Sequence, residues 1–217
     1  MSIAIKLSGF FFLFIIVTNI SSDFFGYKTF GDINVNAHLQ RIKKEPRKFK
    51  ISVALILIEH FGIISLAVTL FIAFSPYNII LGLLWCIFRI GEALIQIYDK
   101  KSYWGLLNIA EQYSDTNSTE NDELLILARN ILQTKTSRFS LAQILFSVGT
   151  LAYSVLFILY GVLPIIIGWF GITAAILYGL GNIVYRIKSN FKILWSIGGL
   201  LVLFFEIILG GWLLLFT

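Results

Sequence analysis

Six apolar runs, each near the length that crosses a bilayer, constrain this chain more than any other feature. They cover residues 6–25, 51–73, 78–98, 139–160, 163–183 and 192–217. A helix needs roughly 20 apolar residues to span the hydrocarbon. The runs are continuous, as in Leu200-Leu201-Val202-Leu203-Phe204-Phe205. Barrel strands are shorter and alternate apolar with polar, so a barrel is excluded. In lipid every backbone polar group must be paired internally, which leaves helices. The expected fold is all-α: one polytopic transmembrane bundle over residues 1–217, with about six spans and no separate soluble module. Charged residues make up only 13% of the chain, about half the share of a soluble domain, which agrees with that reading.

The charges that remain set an orientation. Every Lys and Arg except Lys6 and Arg89 lies after span one, three or five. The connections at 74–77 and 161–162 carry none. The positive-inside rule then puts the three basic connections in the cytoplasm of a cell-membrane protein, with both termini outside. The net charge of +5 is thus a topology signal, and no nucleic-acid partner is expected. The basic run Arg41, Lys43, Lys44, Arg47, Lys48 and Lys50 fits a solvated loop beside anionic head groups. Lys6 and the apolar run after it imitate a secretory signal, but no small-x-small cleavage site follows, so a retained first span is expected.

The longest connection, 99–137, holds further helical pattern. Thr119 and Asp122 resemble an N-terminal capping box, and Leu124, Leu127, Ala128, Ile131 and Leu132 recur at helical spacing. An amphipathic helix over 120–134, at the interface or on the bundle, is predicted between spans three and four. The stretch 103–113 is also helix-compatible. Asn117-Ser118-Thr119 fits a glycosylation acceptor, but the charge bias places it inside, so it is read as chance.

Ionisable groups inside spans are costly, at about 2.5–3.5 kcal/mol each near the centre, and mark places of use. Arg89, Glu92 and Gln96 share one face of span three. Glu59 and His60 are neighbours in span two, about 100° apart on a helix, so one is expected to face the bundle and the other a groove. Span four carries a polar stripe of Ser140, Gln143, Ser147, Thr150 and Ser154, read as packing except for the large Gln143. Gly168, Gly171, Ala175 and Gly179 form a small-residue seam on span five. Glu206 in span six competes with Glu92 for Arg89. The candidate interior cluster is therefore Glu59, His60, Arg89, Glu92, Gln96, Gln143 and Glu206.

Standard catalytic signals are absent: no nucleophile elbow, no His-Glu-x-x-His, no phosphate-cradling glycine loop. No catalytic residue is assigned. The single cysteine, Cys86, and two histidines supply no metal pattern, and no metal, haem or other cofactor is expected. Three readings follow. The first is a non-enzymatic binder or carrier of a small amphipathic or lipid-like molecule, with Arg89 and Glu92 at its polar end. The second is a membrane scaffold in which that pair only locks helices. The third is an intramembrane enzyme using Glu59, His60 and Glu92. The lipid bilayer is the one certain partner, and self-association into a homo-oligomer is left open.

One family resemblance adds to this. Thr69-Leu70-Phe71-Ile72-Ala73-Phe74-Ser75-Pro76-Tyr77-Asn78, followed by Phe88-Arg89-Ile90-Gly91-Glu92-Ala93, resembles the hinge and third span of domain of unknown function 4386. That is an uncharacterised family of small bacterial and archaeal integral membrane proteins. Leu163-Pro164 with Gly168 and Tyr178 resembles its later proline–glycine segment, and Gly31-Asp32 with Asn36 its first-loop pattern. The likeness runs from span one to span five. It implies a helical bundle in which Arg89 and Glu92 matter, and it implies no reaction. Two features depart from the family: the connections before spans three and five are uncharged here, and the acidic residue of span two is Glu59 rather than an aspartate.

Overall fold

The computed structural model describes residues 2–26, 34–113, 119–188 and 192–216. Gly31, Asp32, Asn117 and Ser118 lie outside the described residues. Eight helices are seen among them, with no strand: α1 (Ser2–Phe24), α2 (Val35–Lys44), α3 (Pro46–Phe74), α4 (Ile79–Trp104), α5 (Leu106–Gln112), α6 (Thr119–Tyr160), α7 (Ile165–Ile187) and α8 (Lys192–Leu215). Six of these, α1, α3, α4, α6, α7 and α8, are long and apolar enough to cross a membrane. The protein is a multi-pass helical membrane protein.

The six long helices run up and down in chain order and close into a ring. Each packs on the next, and α8 returns to α1. One end of the ring carries two tight turns, 75–78 and 161–164. Asn78 caps α4 by accepting from the Leu81 amide at 3.1 Å. Pro164 ends the second turn just before α7, where its missing N–H costs nothing. The other end carries all the basic connections and is called the basic end below.

Two local outcomes differ from the sequence expectations. The predicted amphipathic helix over 120–134 is not a separate element. It is the first part of α6, whose 42 residues make a rod about 63 Å long, roughly twice the hydrocarbon thickness. No Pro interrupts 120–160, and its one glycine, Gly149, lies inside the apolar run, so nothing breaks the helix where it leaves the bilayer. Second, the basic run of the first connection is not an open loop. It forms α2 and the first turns of α3. Asn34 caps α2 by accepting from the Ala37 amide, and Pro46 sits at the start of α3. In keeping with the helix-compatible stretch 103–113, α4 continues past its apolar run to Trp104, and a bend at Gly105 leads into α5.

These extensions build a small second core outside the ring. Leu39 and Ile42 of α2, Phe49 and Val53 of α3, Tyr103 of α4, Leu106 and Ala110 of α5, and Ala128 and Leu132 of α6 pack together. The basic side chains of α2 stand outside that core. Lys43 donates to the Tyr113 carbonyl, and Lys48 pairs with Glu45 at 2.6 Å. At the junction with the ring, Asp99 lies 3.3 Å from Arg138 and 4.0 Å from Lys100.

Close helix approach depends on small residues at three seams. The predicted seam of α7 packs on α6: an added Cβ at Gly171 would lie 2.2 Å from Ser154 Oγ, and one at Gly168 2.5 Å from Ile158. Gly9 of α1 meets Gly210 of α8 equally closely, and Gly198 of α8 meets the Tyr178 backbone of α7 at 2.6 Å. The α6 stripe is buried along its length, as a packing role requires.

A candidate binding cavity inside the ring

The polar face of α4 points into the ring. Arg89, Glu92 and Gln96 are all buried there. Arg89 Nη1 lies 2.9 Å from Glu92 Oε2, and Arg89 Nη2 lies 3.9 Å from Glu206 Oε1 on α8. The arginine therefore sits between two carboxyl groups, Glu92 being the nearer. Its guanidinium also lies over the Phe146 ring, 4.5 Å from the centroid. Gly149 on α6 leaves space for the arginine stem, since a Cβ there would come 3.1 Å from Arg89 Cγ.

On α3, Glu59 accepts from Asn19 Nδ2 of α1 through both oxygens, at 3.1 Å each. His60 is 2% exposed, and neither ring nitrogen has a hydrogen-bond partner among the described residues. Glu59 and His60 do not divide between bundle and groove as the 100° offset suggests. Both are buried and both line the same cavity. The cavity is wide enough to be reached from two adjacent positions of one helix.

That cavity measures about 510 Å³. Glu59, His60, Arg89, Glu92, Gln96, Gln143 and Glu206, the seven residues singled out from sequence, all line it. Five of the six ring helices contribute large apolar or aromatic walls, among them Ile15, Ile56, Phe146, Tyr178 and Val202. Its most exposed large apolar lining residues lie on α1 and α8, which puts the opening between those two helices. Ile16 and Ile20 line one side, and Leu200 and Leu203 the other. Ile20 is 61% exposed and Leu200 54%, so the opening faces sideways, where lipid surrounds a ring of this kind. Toward the tight-turn end the same two helices close at Gly9 and Gly210.

Sequence reasoning missed Asn19, Tyr178 and Trp195 as lining residues. Asn19 carried a usable signal: a lone amide in an apolar run needs a partner in lipid. Its partner is forty residues away, and only the folded ring brings the two together. The enzyme reading requires Glu59, His60 and Glu92 to converge within hydrogen-bond reach, directly or through one water. No direct bond joins them among the described residues: Glu59 is held by Asn19, and the His60 nitrogens are unpartnered.

Comparison with known proteins adds the family and nothing about chemistry. The family described as Domain of unknown function (DUF4386) matches residues 7–216. No curated protein and no solved structure matches the chain.

Proposed function

Because the chain belongs to the DUF4386 family, whose domain has no assigned function, we propose on physical grounds that this member binds or carries a small amphipathic, lipid-like molecule. One observation carries the reading. A cavity of about 510 Å³ combines a polar floor with apolar walls and opens sideways between α1 and α8. Its size falls within the roughly 300–1,000 Å³ of ordinary ligand sites, which are likewise mostly apolar with a few placed polar groups. A sideways mouth flanked by Ile20 and Leu200 suits a ligand that arrives from the bilayer rather than from water. Its polar end would meet the Arg89–Glu92–Glu206 cluster, and its chain would lie along α1 and α8.

The test uses the purified chain in phosphatidylcholine nanodiscs and a neutral alkyl glycerol carrying a dansyl group. Trp195 lines the cavity, so bound probe accepts energy from tryptophan. Gly199→Phe is the control. Gly199 lines the cavity, and an added Cβ there meets only the Tyr178 ring, at 3.4 Å, an ordinary contact. Its Cβ meets no backbone atom, and its ring is expected to occupy cavity space. Saturable transfer that Gly199→Phe removes supports the reading. Transfer that is unsaturable and identical in both proteins refutes it.

The same reading places the basic end in the cytoplasm, following the distribution of Lys and Arg. Accessibility of a cysteine placed at Gly161, in a Cys86→Ala background, checks it: labelling by a membrane-impermeant thiol reagent from outside the cell is expected, and labelling only after lysis contradicts it.

A further inference from the structure

The charges around the cavity narrow the ligand class. Glu59, Glu92 and Glu206 face it with Arg89 as the one basic side chain in the lining, a formal excess of two negative charges. Arg89 is not open to an anionic head. Glu92 and Glu206 flank it at 2.9 and 3.9 Å, and the Phe146 ring lies against its guanidinium. Any anion reaching it would also approach two carboxyl groups. Outside the lining, Lys100 lies in a neighbouring cleft that shares Gln96 with the cavity, 4.0 Å from Asp99, and its charge also reaches Glu59. Buried charge persists only where it is compensated; a buried carboxyl otherwise takes up a proton, and a cationic ligand would supply the same compensation.

Two further observations point to an occupant rather than to a dry ion cluster. His60 lines the cavity and is nine-tenths buried, yet both its ring nitrogens lack a partner. A neutral imidazole offers one acceptor and one donor, which suits an N–H or O–H group on a ligand head. The rings of Phe139 and Tyr178 line the same space, and aromatic faces attract cations. We propose that the cavity receives the cationic head of a single-chain amphiphile, an alkylammonium. The head sits among Glu59, Glu92 and Glu206, and the chain leaves between α1 and α8. This rests on the reading of the cavity as an amphiphile site and adds the sign of the head group.

The experiment displaces the dansyl alkyl glycerol from the nanodisc-bound protein with three amphiphiles of equal chain length: dodecylammonium, dodecanol and dodecanoate. Each is corrected for its partition into empty discs. The ammonium should displace at a membrane concentration at least about tenfold lower than the other two. Glu59→Gln and Glu206→Gln should each reduce that preference, read as the ratio of ammonium to dodecanol displacement within each variant, whatever its own affinity for the probe. The two variants are read separately, so misfolding of one leaves the other decisive. Equal displacement by all three heads, or stronger displacement by dodecanoate, overturns the cationic class and leaves the amphiphile site standing. A probe signal that none of the three displaces and that Gly199→Phe leaves unchanged overturns both.

Discussion

The two halves of the ring are built on opposite principles. In the half near the tight turns, Phe12, Phe74, Trp85, Tyr153, Phe157 and Phe205 fill the centre. Tyr153 stacks on Phe205 with centroids 6.0 Å apart, and Phe74 meets Phe157 edge-on at 5.0 Å. All six side chains are almost fully buried. In the half toward the basic end, the same six helices enclose charged and amide side chains around open space. The difference follows from which helices touch. α8 meets α1 at Gly9 and Gly210 in the filled half, but it leans on α7 through Gly198 in the open half. There α1 and α8 are lined by the cavity instead of by one another. Small residues close one half, and their absence from the α1–α8 contact leaves the other open.

The largest expected effect tests the open half's charges. Arg89→Leu leaves Glu92 and Glu206 buried without their guanidinium, and breaking a buried pair from one side costs about 3–5 kcal/mol. Thermal unfolding in detergent should show a fall of that order. The combined change Arg89→Leu, Glu92→Leu and Glu206→Leu should recover most of it, since apolar replacement of a whole buried ion cluster is often neutral. A triple variant as unstable as the single one would mean the cluster stabilises the ring outright.

Adjacent glycines on α8 give the next contrast. Gly198→Ala places a Cβ 2.6 Å from the Tyr178 backbone and should destabilise by about 1–3 kcal/mol through overpacking. Gly199→Ala, one residue on and facing the cavity, should be near neutral. Gly211→Ala, with nothing within 4 Å, serves as the reference. Equal losses at Gly198 and Gly199 in the same unfolding assay would erase the distinction between a packed seam and an open wall.

The smallest effect lies outside the ring. The Lys48 ammonium bonded to Glu45 holds that carboxyl below the ordinary carboxylate range, with Arg41 and Lys44 adding to it. A depressed carboxyl contributes stability above its unfolded value and loses it as pH falls through the folded one. Any contribution from Glu45 is therefore present at neutral pH and lost in acid. Lys48→Ala should move the Glu45 carboxyl resonance toward ordinary titration in a carbon NMR titration, with no measurable change in melting temperature. A clear melting shift would give this exposed pair a weight that such pairs rarely have.

The spans were legible because the hydrocarbon sets their length and leaves no alternative to a helix. The helical ends beyond the bilayer were legible only in part: 103–113 reads as helix-compatible, whereas the start of α3 does not. At 46–50 and 99–104 hydropathy turns polar while the helix goes on, because packing against α2 and α5 replaces lipid as the reason to stay helical. α2 was hidden for the same reason: its apolar face is only Leu39 and Ile42 with His38, set among basic residues. The seven polar side chains were legible because each is an oddity in lipid. Their common cavity was not, since the sequence ranks faces but not the gaps between helices. The pairing of Gly9 with Gly210 and of Asn19 with Glu59 joins distant spans, and no local pattern encodes it.

The central claim is that the open half receives an amphiphile through the α1–α8 mouth. Photolabelling by a diazirine-bearing alkyl glycerol, with the labelled positions mapped by peptide mass spectrometry, tests it most directly. Label should concentrate on Ile16 and Ile20 of α1 and on Leu200 and Leu203 of α8, and Gly199→Phe should abolish that label while sparing the outer, lipid-facing positions. Label spread evenly over the outer surface and unchanged in Gly199→Phe would contradict the claim.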